Sequence, residues 1–196
     1  HRLLFLLFIL SSLALAGQGN QLETALFQLP DVIFKPIDTP SGYAAAYEIQ
    51  IKQPLDHEHP EKGHFYQRAF LSHRGFDRPT VICTEGYDRP RNRNYELTDL
   101  IKGNQIDVEH RFFGTSVPDE EIFDYQYLNL KQVTADLHKI NQLFREIYQG
   151  KWLSTGISKG GCKCSLCSST QPCIRRAAYL HLPRHGGVGS VQNSAI

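Results

Sequence analysis

The middle of the chain alternates short apolar segments with helical patterns, and this alternation limits the possible folds more than any other feature. We predict strand, helix, strand, helix and strand over residues 80–84, 95–102, 106–108, 127–148 and 152–157. Two parallel strands need a crossover connection of a dozen or more residues, which is usually a helix. The order of elements therefore indicates an α/β fold with a mostly parallel sheet.

The longest of these helices has the clearest pattern. Its apolar residues recur at alternating spacings of three and four, at Leu130, Val133, Leu137, Ile140, Phe144 and Ile147. This spacing places all of them on one face, which is expected to pack against the sheet. Gly150 follows as the expected C-terminal stop.

Two further strands precede residue 80. Residues 43–53 alternate between apolar and polar side chains, and residues 64–73 follow after a polar turn, as in an antiparallel hairpin. Residues 17–42 contain several prolines and are predicted to be an extended lead-in. Residues 43–161 are expected to form the N-terminal half of an α/β domain, with the hairpin at one edge of a mostly parallel and incomplete sheet.

The first 16 residues have the composition of a secretory signal peptide. Arg2 precedes the apolar run Leu3–Leu10, and small residues end the segment at Ala16. The run is shorter than the roughly 20 apolar residues that a membrane span requires. We therefore predict a secreted or periplasmic protein with no membrane association after cleavage. Because the chain has no Met, even at position 1, we expect an incomplete or altered gene product.

The segment Gly156-Ile157-Ser158-Lys159-Gly160 follows the last predicted strand. In the Gly-x-Ser-x-Gly motif, the serine lies on a sharp strand-to-helix turn, and only very small residues fit two positions before and after it. This predicts Ser158 as a nucleophile, with Gly156 and Gly160 allowing the turn. The backbone N–H of Lys159 is the first expected donor to an oxyanion.

The loop that follows the strand at residues 80–84 is the expected source of the second oxyanion donor. It begins Glu85-Gly86-Tyr87, and the glycine allows close approach of the backbone to a substrate. Glu85 and Glu109 lie near the expected mouth of the site. Either carboxylate is a candidate to bind the free ammonium group of a peptide substrate.

Five separated motifs together resemble the secreted tripeptidyl aminopeptidases, which are serine peptidases distantly related to prolyl carboxypeptidase. The motifs are Gln-Pro-Leu-Asp-His at 53–57, Phe-Tyr-Gln-Arg at 65–68, Glu-Gly-Tyr at 85–87, Glu-His-Arg-Phe-Phe-Gly at 109–114 and Gly-Ile-Ser-Lys-Gly-Gly at 156–161. The resemblance implies an α/β-hydrolase that removes tripeptides from free N-termini. It also implies acylation of Ser158, with Asp and His partners later in the chain. We expect peptide substrates and no metal or other cofactor.

The resemblance ends at Gly161. No Asp or Glu occurs from Lys159 onward, and four cysteines lie between Cys162 and Cys173. In α/β-hydrolases the acid and the histidine of the triad follow the serine. We therefore expect residues 162–196 to be an out-of-frame tail and the chain to be inactive and unstable. The alternatives are a genuine tail with paired disulfides or a soft-metal site that uses His181 or His185.

Two other functions remain open at this point. A secreted esterase or lipase would share the fold, because the serine motif alone does not define the substrate. A non-catalytic exported binding protein would keep the half-domain and use the Cys-rich tail. Nucleic acid is not an expected partner, because the 21 basic residues are balanced by 20 acidic ones. The short loop with Arg89, Arg91 and Arg93 is predicted to be solvated surface.

Overall fold

The computed structural model describes residues 21–84 and 86–156, together with the backbone of one further strand at Ile174–Arg176. The described strands are β1 Val32–Pro36, β2 Ala45–Pro54, β3 His64–His73, β4 Thr80–Thr84, β5 Asn104–Val108, β6 Trp152–Gly156 and β7 Ile174–Arg176. They form one sheet in the order β1-β2-β3-β5-β4-β6-β7.

Pairing changes from antiparallel to parallel across this sheet. The pairs β1–β2, β2–β3 and β3–β5 are antiparallel. The pairs β5–β4, β4–β6 and β6–β7 are parallel. The predicted α/β class and the β2–β3 hairpin are confirmed. The described sheet is mixed rather than mostly parallel, because β1 and the β3–β5 pair extend its antiparallel part.

The crossover helices lie where the sequence predicts them. Helix α2 spans Glu96–Leu100, and α3 spans Leu130–Arg145. The Asn129 side chain caps α3 by accepting a hydrogen bond from the Gln132 N–H at 3.0 Å. The buried stripe of α3 starts one turn later than predicted, because Leu130 is exposed, and the helix ends at Arg145, five residues before Gly150.

The described part of the lead-in segment differs from its predicted extended form. Residues 21–28 form a helix, α1, and β1 adds an antiparallel strand to the edge of the sheet. Leu22, Leu26 and Leu29 are buried in the main core. Their spacing of four and three is the spacing of one helix face, so the segment forms a helix because it buries these three leucines. None of the helices described here combines the length and the apolar composition that crossing a membrane requires.

One polar side chain lies inside this core at the end of β3. The His73 side chain is fully buried, and its Nδ1 is hydrogen-bonded to Tyr148 Oη at 2.8 Å. Among the described residues, none forms a hydrogen bond with His73 Nε2. Burial lowers the pKa of the imidazole to about 4, and the nearby Asp77 carboxylate opposes this only in part.

We expect His73 to make folding stability depend on pH between about 6.5 and 4. The unfolded chain takes up a proton at His73 as the pH falls through 6.5, whereas the folded protein does so only near pH 4. The free energy of unfolding therefore falls over this interval, by about 3 kcal/mol from this group. In urea unfolding at several pH values, His73→Leu should flatten this slope, whereas the exposed-site control His64→Gln should keep it. An unchanged slope in His73→Leu would contradict the assignment.

Candidate active site

The carboxyl ends of the three central parallel strands lie at one edge of the sheet. Thr84, the last residue of β4, pairs with Val108 at the end of β5 and with Gly156 at the end of β6. The segments that follow these strands therefore begin side by side. In open α/β sheets, ligands bind at this edge, outside the carboxyl ends of the strands.

The structure places part of the predicted serine turn. Gly156 is the final residue of β6, and β6 lies between β4 and β7 in the sheet. Ser158, Lys159, Gly160 and Glu85 lie outside the described residues. Their predicted roles therefore stay predictions, and the structure supplies the strand end from which the serine segment departs.

The loop after β4 is attached to the segment after β5. The Tyr87 carbonyl accepts a hydrogen bond from the His110 backbone N–H at 3.2 Å. The Tyr87 ring, which is 56% exposed, contacts the Phe113 ring edge to face with 5.4 Å between ring centroids. Tyr87, one of the two predicted second oxyanion donors, is thus held by residues of the Glu-His-Arg-Phe-Phe-Gly motif.

Glu109, a predicted candidate to bind a substrate ammonium group, is bonded within the protein. Its side chain is fully buried, and both carboxylate oxygens already accept hydrogen bonds. The donors are Arg68 Nη2, the Arg89 N–H, and both the N–H and the hydroxyl of Thr115 and of Ser116. These bonds make the carboxylate an internal anchor, and its contact with a substrate amine stays a prediction.

The adjacent Gly114 fits the same arrangement. Its φ is 57°, in the left-handed region that favours glycine. A Cβ at this position would overlap the Glu109 carboxylate. The glycine that ends the motif is therefore explained by the space that the buried carboxylate occupies.

A second buried acid, Asp107 of β5, holds the Arg89 side chain of the loop after β4. Asp107 Oδ1 accepts a hydrogen bond from Arg89 Nε at 2.7 Å, and both side chains are fully buried. Arg89 Nη2 also donates to Tyr95 Oη at 2.5 Å. The expectation that this basic loop is solvated is therefore wrong for Arg89, because its guanidinium is buried and paired with Asp107. Arg91 and Arg93 are exposed, as expected.

The remaining motif residues meet in a separate buried cluster beside α3. Asp136 of α3 accepts hydrogen bonds from Arg111 Nε at 2.7 Å and from Arg111 Nη2 at 2.9 Å. The same guanidinium donates to the backbone carbonyls of Pro54, Leu55 and Tyr127. His57 Nε2 lies 2.8 Å from Asp136 Oδ1. This cluster joins the end of β2, the segment after β5 and α3.

A pocket opens between α3 and the carboxyl ends of β4 and β5. It is lined by Gln67, Thr84, Val108, Glu109, His110, Val133 and Leu137. His110 is buried, and its Nδ1 is 2.7 Å from the Arg111 carbonyl oxygen. Position and bonding agree with a structural role for this histidine.

The fold of this chain is similar to that of solved esterases. An acetyl xylan esterase from Paenibacillus sp. R4 superposes with a TM-score of 0.52 and 11% identity, covering 79% of this chain and 55% of that structure. Acetyl xylan esterase 1 from Thermoanaerobacterium sp. JW/SL YS485 gives a TM-score of 0.50 at 14% identity, covering 78% and 54%. At these identities the similarity concerns the fold, which is that of the α/β-hydrolases.

Sequence comparisons identify the family. The family model of PS-10 peptidase S37 matches residues 21–174. The prolyl tri/tetrapeptidyl aminopeptidase of Streptomyces mobaraensis is 42% identical over 141 residues, which are 71% of this chain and 29% of that protein. Serine protease vicPb of Bipolaris victoriae (strain FI3) is 36% identical over 99 residues, which are 43% of this chain and 18% of that protein.

This chain spans less than a third of the length of these two relatives. Its motifs, the strand order around β4 and β6 and the family match all indicate the same class of protein. The chain belongs to the PS-10 peptidase S37 family of serine peptidases, is a homologue of tripeptidyl aminopeptidases, and has the α/β-hydrolase fold.

Proposed function

We propose that these residues form the nucleophile half of a secreted serine exopeptidase that cleaves peptides near a free N-terminus through an acyl-enzyme. The pairing of Thr84 with Gly156 is the observation that carries this proposal. It brings the loop with Gly86 and Tyr87 next to the strand that leads to Ser158. The family match and the Streptomyces relative support peptide bonds as the substrate.

In the proposed reaction, Ser158 Oγ attacks the carbonyl carbon of the scissile peptide bond, and its proton passes to the triad histidine, which gives it to the leaving amine. The developing oxyanion accepts hydrogen bonds from the Lys159 N–H and from the backbone at Gly86 and Tyr87. The amine then leaves, and water hydrolyses the acyl-enzyme. If the loop after β4 is rigid, its donors are in place before the reaction starts. The rigidity of this loop then contributes to catalysis.

The acid and the histidine of the triad are proposed to lie outside this chain. No Asp or Glu occurs from Lys159 to Ile196, although α/β-hydrolases place the acid after the serine. We therefore propose that the chain alone does not turn over peptides. Activity belongs to the full-length enzyme, by which we mean the protein in which these residues are followed by the missing catalytic residues.

The substrate is proposed from the name of the Streptomyces relative, a prolyl tri/tetrapeptidyl aminopeptidase. Short peptides with a free amino terminus and proline near the scissile bond are the corresponding substrates. Export is proposed from the sequence of residues 1–16, because a signal peptide would deliver the enzyme to extracellular or periplasmic peptides.

The proposal is tested by hydrolysis of a tripeptidyl dye by the full-length enzyme. Acetylation of the substrate amine is expected to lower kcat/KM by about 10–100-fold, because a charged hydrogen bond is worth about 1.5–3 kcal/mol. A short-chain ester of the same dye serves as the comparison substrate. If the enzyme hydrolyses the ester and cleaves neither peptide, it is an esterase and the proposed peptidase activity is wrong.

A further inference from the structure

We propose that Glu109 is a positioning residue that fixes the oxyanion loop, here defined as residues 86–89. The inference rests on the proposed function, because it assigns a catalytic consequence to the rigidity of this loop. Glu109 touches no substrate. It acts through the backbone that carries the second oxyanion donor.

The first step is the direct bond between the acid and the loop. Glu109 Oε1 accepts the backbone N–H of Arg89 at 2.6 Å and Arg68 Nη2 at 2.6 Å. Glu109 follows directly after β5, whose last residue, Val108, pairs with Thr84, the last residue of β4. The chain is therefore bound to β5 just before the loop, and Arg89 of the loop is bound to the residue that follows β5.

The second step is the attachment of the loop at other points. The His110 N–H donates to the Tyr87 carbonyl, and Asp107 holds the Arg89 guanidinium. Asp107, Glu109 and His110 are near neighbours in sequence, so one short stretch of chain sets the position of the loop. Preorganised donors of this kind stabilise an oxyanion because they need no rearrangement during the reaction.

The third step concerns charge. Every described group that bonds to the Glu109 carboxylate is a hydrogen-bond donor, including the two groups of Thr115 and the two of Ser116. Glutamine has the same size, but its NH₂ group would face these donors and leave buried N–H groups without an acceptor. Such an unsatisfied group costs about 1–3 kcal/mol. Glu109→Gln therefore changes the interactions of the loop without removing bulk.

We expect Glu109→Gln in the full-length enzyme to lower kcat by about 10–100-fold, with KM changed by no more than about twofold. The loss of one complete oxyanion donor costs about 10²–10³ in kcat, and a displaced donor should cost less. Rates are expressed per active site, titrated with a fluorophosphonate. A boronic acid analogue of the substrate, which forms a tetrahedral adduct, should lose affinity more than the product peptide does.

Asp56→Asn is the matched control. Asp56 is also a buried carboxylate and accepts hydrogen bonds from Lys62, Gln132 and the Glu58 N–H, none of which belongs to the oxyanion loop. This variant should lower stability and the number of titratable sites, with kcat per site unchanged. A purely structural role for Glu109 would give the same result for Glu109→Gln.

Ser116→Ala is the milder second variant, in case Glu109→Gln does not fold. It removes the hydroxyl that donates to Glu109 Oε2 at 2.7 Å and accepts the Arg68 N–H at 2.9 Å. The loss of the bond to Glu109, about 1 kcal/mol, should lower kcat per site about fivefold. If the wild-type enzyme is active and kcat per site is unchanged in both Glu109→Gln and Ser116→Ala, this inference is wrong and the proposed function stands. A wild-type enzyme that cleaves no peptide would overturn the proposed function together with the inference.

Discussion

Ser158→Ala in the full-length enzyme is expected to lower kcat by a factor on the order of 10⁶ and to abolish labelling by a fluorophosphonate. Without the hydroxyl no acyl-enzyme forms, and only the oxyanion donors and substrate binding remain to assist direct attack by water. Binding of the product peptide should be retained, because the serine contributes to bond making rather than to binding. Steady-state kinetics and the mass of the labelled protein measure both effects.

Ser154→Ala is the control for this experiment. Ser154 lies in β6, four residues before Ser158, and is buried in the sheet. Its replacement should leave kcat within about twofold and labelling complete, since most substitutions away from the site change stability rather than chemistry. Labelling that persists in Ser158→Ala would move the nucleophile to another residue and would contradict the proposed site.

The elements that the sequence predicts well are those with a local periodicity. Helix α3 repeats its apolar residues every three or four positions, and β2 alternates them, so both follow from short windows. Helix α1 carries the same kind of signal in Leu22, Leu26 and Leu29, but Pro30 follows directly and favours the extended interpretation. Strand β1 has no pattern of its own, and forms because β2 offers it an edge to pair with.

The candidate site divides in the same way. The serine turn can be predicted because its glycines are adjacent in sequence. The anchoring role of Glu109 cannot be predicted from the sequence, because its partners Arg68 and Arg89 are 41 and 20 residues away. In sequence an acid that follows a strand looks the same whether it faces substrate or the protein interior. Burial and the set of donors around the carboxylate distinguish the two roles.

Arg111→Met is expected to destabilise the protein by about 3–5 kcal/mol. Both Arg111 and Asp136 are fully buried, and removing the guanidinium leaves the carboxylate charged, desolvated and without its bidentate partner. The remaining contact of Asp136 with His57 Nε2 at 2.8 Å replaces only part of this interaction. Urea unfolding measures the change. The control is Arg78→Met, which removes one partner of an exposed ion pair, with Arg78 Nε 3.8 Å from Asp77 Oδ1. This variant should change stability by less than about 1 kcal/mol.

The double variant Arg111→Met with Asp136→Leu separates the cost of the unpaired charge from the other work of the arginine. Replacing both partners of a buried ion pair by apolar residues is often close to neutral. Here the carbonyl oxygens of Pro54, Leu55 and Tyr127 also lose their donor. The double variant should therefore recover part of the loss and remain less stable than the wild type. Full recovery would mean that the arginine serves the carboxylate alone. No recovery would mean that most of its effect comes from the carbonyl contacts, which join it to the end of β2 and to the segment before α3.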